Sequence, residues 1–427
     1  MATLRDRLKM PPLAVRIVLG LAIGAAAGLA LPDAGTARWS DALVTAAGVI
    51  GKLWLAALQM TILPLVFALL STVFVHSADL AGTTGIARRT VVTLAALYAL
   101  AIAVGVIFTP ILLGLFPVTA DIAAALRNAG GGPVEVARLP AEAMILGIVP
   151  TNIVSAAAGG SLLPVMLFAL VFGAALARIG RDRSAGIVSV LDGLAGAMFV
   201  IVGWVLALAP VGVAGLVLVA ANASGADLLF GLAHYVALYV ALILVLTACA
   251  YAVAVVGGKA RLGQFAAAML PTQAVAFGTQ SSLACLPLAL GSARRIGVRE
   301  QVADVALPLA VALMRASSPA FAVFAGAYGA TVYGLPHGVA LLVAAGVLKM
   351  LLEIGSVGIP AQATLVATAA PPLAVLGIPI EFLAVIILAE TVPDMFKTVC
   401  NVTMDVAAAT VVDRDRPAQA ARNLSEN

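Results

Sequence analysis

Six polar side chains near the end of a strongly apolar chain are spaced so that they could do chemistry together. Glu390, Asp394, Lys397, Thr398, Asn401 and Asp405 follow one another at helical intervals. On an α-helix all six project within an arc of roughly 100°. AVIILA precedes the stripe and VAAATVV follows it, so it sits at membrane depth rather than at a helix end. A juxtamembrane helix with a solvated face would carry such charges at its terminus. An ionisable group at membrane depth is costly and marks a substrate or ion path. The sequon-like Asn401-Val-Thr would be buried and is set aside as a glycosylation site.

The rest of the chain sets the stage for that stripe. Of 427 residues, 63% are hydrophobic and 10% charged, too little charge to cover a soluble protein of this size. Apolar runs of about 20 residues, the length that spans a bilayer, recur throughout. The fold class expected is an all-α polytopic membrane protein. The net charge of +4 does not point to nucleic acid. The basic residues form short clusters between apolar runs, such as Arg88 with Arg89 and Arg178 with Arg181 and Arg183. Such clusters are expected in loops facing the cytoplasm. Both termini are therefore expected to be cytoplasmic, in a multi-pass protein of a cell membrane, by its type a bacterial inner membrane. The first apolar run, 13–31, lacks a small-residue cleavage site and reads as a retained helix.

Cys249, Cys285 and Cys400 show no metal-like spacing and read as small buried hydrophobes. No zinc motif, Walker loop or G-x-S-x-G stands in the sequence, and His76, His234 and His337 match no triad spacing. No cofactor or metal is expected, and an enzyme or ATP-driven pump has no motif behind it.

Apolar helices are expected over 13–31, 45–75, 87–116, 143–178, 190–221 and 229–256, with 118–142 as a less apolar connector, either an extramembrane loop or a broken helix. The second half is broken. GTQSSLACLP (278–287), MRASSP (314–319) and EIGSVGIPAQ (353–362) interrupt apolar segments. Broken backbone survives in a membrane only where it is buried in protein or lines a wet cavity. Such discontinuous helices point to a transporter's binding site. Two breaks read as hairpin tips, at Ser281–Ser282 and at Gly358–Pro360.

Several stretches together resemble the dicarboxylate/amino acid:cation symporter family, which includes the glutamate and aspartate transporters. They are LQMTILPLVFALL (58–70), IVPTNIV (148–154), LLPVMLFALVFGAAL (162–176), LAPVGVAGL (208–216), QSSLACLP (280–287), LPLAVALMRASSP (307–319), GSVGIP (355–360) and DMFKTVCNVTMD (394–405). They cover nearly the whole chain in family order. The resemblance implies a homotrimer in the bilayer, each protomer with eight transmembrane helices and two re-entrant helical hairpins, working as an elevator. Scaffold helices 1–2 would occupy 10–75 and helices 4–5 118–221. Transport-domain helix 3 would occupy 87–117, helix 6 226–257, and the core of hairpin 1, helix 7, hairpin 2 and helix 8 262–412. Residues 413–427 would be a cytoplasmic tail.

By the same resemblance Asp394 would bind the substrate amino group and Asn401 its α-carboxylate, with Ser281 and Ser282 at the hairpin 1 tip. Thr398 and Ser318 would support them, and Ile359 and Pro360 would close hairpin 2 as a lid. Lys397 stands where acidic amino acid transporters have an arginine. It keeps the charge but loses the fork. A neutral substrate would leave Lys397 buried and unpaired unless Glu390 or an aspartate neutralises it. The substrate implied is an acidic amino acid, with a C4-dicarboxylate as the alternative.

The second departure concerns the cation. Where sodium-coupled relatives have Asn-Met-Asp-Gly-Thr, this chain has Met314-Arg315-Ala316-Ser317-Ser318. A thioether and a methyl replace hard oxygen ligands. Arg315 reads as a substitute for cation charge, paired with Asp405, Asp394 or hairpin carbonyls; an arginine snorkelling to an interface is the plain alternative. Glu353, Glu390 and Asp405 are the candidate proton carriers. Glu353 also stands four residues after Lys349, the spacing of a helical ion pair. Asp405 and Asn401 survive from another sodium site. The expectation is proton-coupled, sodium-independent symport, with sodium coupling in the same fold, uncoupled transport and an anion pore as alternatives.

Overall fold

The computed structural model describes residues 13–32, 37–81, 85–129, 149, 151–159, 162–355 and 361–414, and these are helical with short connections. In chain order the helices are α1 (Leu13–Ala30), α2 (Arg38–Ala81), α3 (Gly85–Leu115), α4 (Ala120–Ala129), α5 (Ile153–Ala158), α6 (Leu162–Arg178), α7 (Arg181–Ala207) and α8 (Ala209–Ser224). They continue with α9 (Asp227–Ala252), extended by a π-turn over Val253–Gly257, then α10 (Leu262–Thr279), α11 (Ser282–Arg295), α12 (Glu300–Leu313) and α13 (Ser317–Tyr333). The last four are α14 (Val339–Gly355), α15 (Ala361–Val375), α16 (Phe382–Ala389) and α17 (Thr391–Val412). Among the described residues, six helical stretches are long and apolar enough to cross a membrane. They are Arg38–Thr72, Gly85–Leu115, Arg181–Ala207, Asp227–Gly257, Glu300–Tyr333 and Thr391–Val412.

Small residues set the packing of the first half. α1 crosses α8, and α2 lies against α6, α7 and α8. A Cβ on Gly20, Gly24 or Gly28 would stand 2.3–2.4 Å from the carbonyl oxygens of Pro210, Ala214 and Leu218. Glycine every fourth residue therefore brings two backbones into direct contact, the means by which helices associate where burial from water supplies little drive. Gly24→Val is expected to destabilise the protein by about 1–3 kcal/mol through overpacking. Thermal unfolding of the purified protein checks this; an unchanged melting temperature would mean that the crossing opens without cost.

The second half is built around α13. Every residue from Ser317 to Ala330 is buried, as a helix apolar on all sides must be. α3, α9, α14, α15 and α17 surround it. Phe321, Phe324 and Tyr328 of α13 pack their rings against Tyr235 and Tyr239 of α9.

One expectation about element boundaries is decided and two are corrected. The expected connector 118–142 contains the helix α4. Ala123, Ala125, Leu126 and Ala129 are buried there, and Arg127 reaches back to cap the Val332 carbonyl at the end of α13. The run 190–221 is two helices broken at Leu208. Pro210 has no N–H to continue α7 and fits the first turn of α8. Trp54 adds a second donor at that break, its Nε1–H donating at 3.0 Å to Val205 O, which also accepts from Leu208 N–H. The run 143–178 is interrupted as well: Asn152 caps α5, which ends at Gly159, and α6 starts afresh at Leu162.

Candidate functional site

Two short-armed hairpins, one broken helix and the polar stripe of α17 converge in this second half. α10 and α11 form the first hairpin. Gln280 at its tip is left-handed, with φ 53°, a conformation that usually calls for glycine. Its side chain accounts for its use there, because Nε2–H donates to the Thr391 carbonyl at 3.2 Å and fastens the tip to the start of α17. Ser281 is extended, and its Oγ accepts from Ala284 N–H at 3.3 Å, capping α11. Ser282 opens that helix, and both serines are half-buried.

The break between α12 and α13 is held by side chains. Met314 is extended and buried. Tyr98 of α3 donates its hydroxyl to the Leu313 carbonyl at 2.8 Å and accepts from Arg315 N–H at 3.1 Å. Asn401 of α17 accepts from Ser317 N–H at 2.9 Å. The backbone groups freed by the break thus find partners within the protein, which is what makes broken helix tolerable at this depth. Asn401 Oδ1 is already engaged, so a substrate carboxylate would meet the amide's NH2 side.

The charged residues form two groups. In the first, Arg315 Nη1 lies 3.0 Å from Glu353 Oε2, and Lys349 Nζ lies 2.9 Å from Glu353 Oε1. Lys349 also donates to Thr368 Oγ1. The group therefore joins the break of α12 and α13 to both arms of the second hairpin, α14 and α15. Glu353 and Lys349 are 3% exposed and Arg315 26%. Glu353 is thus both the helical partner of Lys349 and the partner of Arg315. Of the partners that the sequence suggested for Arg315, which were Asp405, Asp394 and hairpin carbonyls, Asp405 has no hydrogen bond to it. Glu353 holds two cations instead, and it stands on the hairpin that faces the break.

In the second group, Lys397 Nζ contacts Glu390 Oε1 and lies 3.7 Å from Asp394 Oδ1. Glu390 Oε2 is buried with no hydrogen-bond partner. The condition under which a neutral substrate becomes tolerable, neutralisation of Lys397 from within, is met in this state. Thr398 donates its hydroxyl to the Asp394 carbonyl at 2.8 Å, so it serves its own helix here and offers substrate an acceptor. Ser318 is buried in the first turn of α13. The ring of Phe321 lies between the two groups, with Lys397 Nζ 5.4 Å and Lys349 Nζ 5.6 Å from its centroid. Cations at this range are attracted to the ring face.

Asp405 stands apart. It is fully buried, and neither carboxylate oxygen has a hydrogen-bond partner. A bare carboxylate in low dielectric is unfavourable by several kcal/mol or more, so this position fits a cation or a proton. Ile359 and Pro360 lie outside the described residues. Tyr98, Lys349, Thr368 and Phe321 belong to the site and were not among its expected members. Lys349 was visible as the partner of Glu353. Tyr98 carries a weak signal, a lone hydroxyl in the apolar run TLAALYALAIA.

Comparison with known proteins bears on the class of protein this is. The chain is similar to C4-dicarboxylate transport protein 1 of Pseudomonas aeruginosa (strain UCBPP-PA14), 25% identical over 423 residues, 94% of this chain and 87% of the relative. It is similar to the proton/sodium-glutamate symport protein of Bacillus subtilis (strain 168), 29% identical over 270 residues, 63% of this chain and 62% of the relative. The C4-dicarboxylate transport protein of Anaeromyxobacter sp. (strain K) is 25% identical over 309 residues, 69% of this chain and 65% of the relative. The sequence profile of the sodium:dicarboxylate symporter family matches residues 13–415, and the chain belongs to that family of membrane transporters.

Proposed function

We propose that the protein is a secondary active symporter for acidic amino acids such as L-aspartate and L-glutamate, coupled to protons and independent of sodium. It would work as a homotrimeric elevator, with helices within 10–75 and 118–221 as scaffold and 87–117, 226–257 and 262–412 as the moving domain. The termini would be cytoplasmic. Asp394 would take the substrate ammonium, Lys397 its side-chain carboxylate, and Asn401 with Ser281 and Ser282 the α-carboxylate. Thr398, Ser318, Ile359 and Pro360 would complete the enclosure.

The observation that carries the sodium-independent reading is the Arg315–Glu353 ion pair, 3.0 Å long. A guanidinium fixed between the broken helix and the second hairpin supplies a positive charge where a mobile cation would otherwise be needed to draw the lid shut. A sodium ion about 4 Å from it would meet a repulsion of several kcal/mol at an effective dielectric of about 20. Arg315→Met is expected to weaken sodium-free substrate binding about 10–100-fold, equivalent to about 1.4–2.8 kcal/mol. Isotherms of the purified variant with and without sodium check this; unchanged binding sinks the role given to Arg315.

A second reading, sodium coupling, rests on Asp405, whose two unpartnered oxygens fit one bound cation. C4-dicarboxylate transport is the alternative for substrate, as in the name of the Pseudomonas relative. The deciding experiment is L-aspartate uptake into proteoliposomes, with L-glutamate, succinate and L-alanine as competitors. An inward proton gradient is compared with an inward sodium gradient. Proton-driven uptake without sodium supports the first reading; strict sodium dependence supports the second.

A further inference from the structure

The Lys397 ammonium is not waiting empty for a substrate. Glu390 occupies it and Asp394 stands 3.7 Å away. A substrate carboxylate that reaches Lys397 must therefore displace a carboxylate already there. The surroundings decide what happens to the one displaced.

The Glu390 side chain is 11% exposed, and its second oxygen has no hydrogen-bond partner even while the first is paired. Lys397 and Asp394 face it from α17. Tyr235 and Tyr239 of α9 lie within reach of its charge, and Lys349 of α14 adds a more distant positive charge. Lys349 is itself bound to Glu353, and Arg315 likewise, so neither replaces Lys397 as a counter-ion. A buried carboxylate that loses its cation neutralises itself by taking a proton rather than remaining charged in low dielectric. The hydroxyls of Tyr235 and Tyr239 are both buried without a hydrogen-bond partner; a carboxylic acid can donate to one such oxygen and accept from another.

We propose that substrate and proton are coupled by ion-pair exchange at Lys397: the substrate carboxylate replaces Glu390 on the ammonium, and Glu390 takes up one proton from the medium as it is released. One Lys397–carboxylate pair breaks and another forms, and Glu390 passes from carboxylate to carboxylic acid. On release of substrate the steps reverse, and Glu390 returns its proton as it regains Lys397. The pair also serves the empty carrier, which then needs no further ion to keep Lys397 neutralised. This rests on the proposed acidic substrate, and it selects Glu390 from the three candidate proton carriers.

The test is proton uptake on binding. Purified protein in weakly buffered detergent solution with a pH indicator is mixed with L-aspartate, and separately with succinate. One proton is expected to be taken up per ligand bound, with affinity falling about tenfold for each unit rise in pH by linkage. Infrared difference spectra should show a new protonated-carboxyl band on binding. Glu390→Gln, which is isosteric, is expected to lose the proton uptake, the pH slope and the band. Glu390→Asp is expected to keep all three. Ligand binding to the unaltered protein without proton uptake overturns the exchange and leaves the substrate reading standing. An undiminished band in Glu390→Gln overturns the assignment to Glu390. Failure of both ligands to bind at any pH overturns the substrate reading and the exchange with it.

Discussion

Glu353→Gln is expected to unseat the second hairpin and abolish uptake. The substitution keeps the shape of the side chain and removes its charge. Two cations then lose their counter-ion at once, since Lys349 and Arg315 each hold one oxygen of Glu353. Removing one partner of a buried pair costs about 3–5 kcal/mol, because the other charge is left uncompensated. Lys349, at 3% exposure, bears most of this, while Arg315, at 26%, recovers part of its hydration. The check is a double-mutant cycle on thermal unfolding with Lys349→Met. If charge is the cause, adding Lys349→Met to Glu353→Gln restores part of the lost stability. If the two losses simply add, the cluster is not what seats the hairpin.

Asp394→Asn is expected to separate the two substrate classes. A charge-assisted hydrogen bond from an ammonium to this carboxylate contributes about 1.5–3 kcal/mol, or roughly 10–100-fold in affinity. L-aspartate should lose that much, while succinate, which has no ammonium, should bind nearly as before. The variant should remain folded, because Lys397 keeps its contact with Glu390. Isotherms for the two ligands on the same preparation provide the check. An equal loss for both would mean that Asp394 acts through Lys397, 3.7 Å away, rather than on the amine.

The polar stripe of α17 was legible because helical spacing alone brings Glu390, Asp394 and Lys397 to one face. The break at MRASS was legible as well, since serine and proline interrupt an otherwise apolar run. What the sequence left open was which charge meets which. Arg315 and Glu353 are 38 positions apart, and only the approach of α14 to the break decides between Glu353 and Asp405 as partner. Tyr98 is hidden for the same reason: its hydroxyl serves Leu313, 215 positions away. The split at Leu208 was a misjudged boundary, where a hydrophobic run continued through a proline that the backbone could not continue through.

The length of α2 has a consequence for the membrane itself. Its 44 residues make a rod roughly 66 Å long at about 1.5 Å per residue. The hydrocarbon layer is roughly 30 Å thick. Tilts observed for spanning helices reach about 40°, which does not absorb the surplus. The excess must enter the headgroup zone, or the lipid beside it must thicken. Either adjustment has an elastic cost that changes with acyl-chain length, so the lipids around this helix bear mechanically on the half of the molecule to which it is packed.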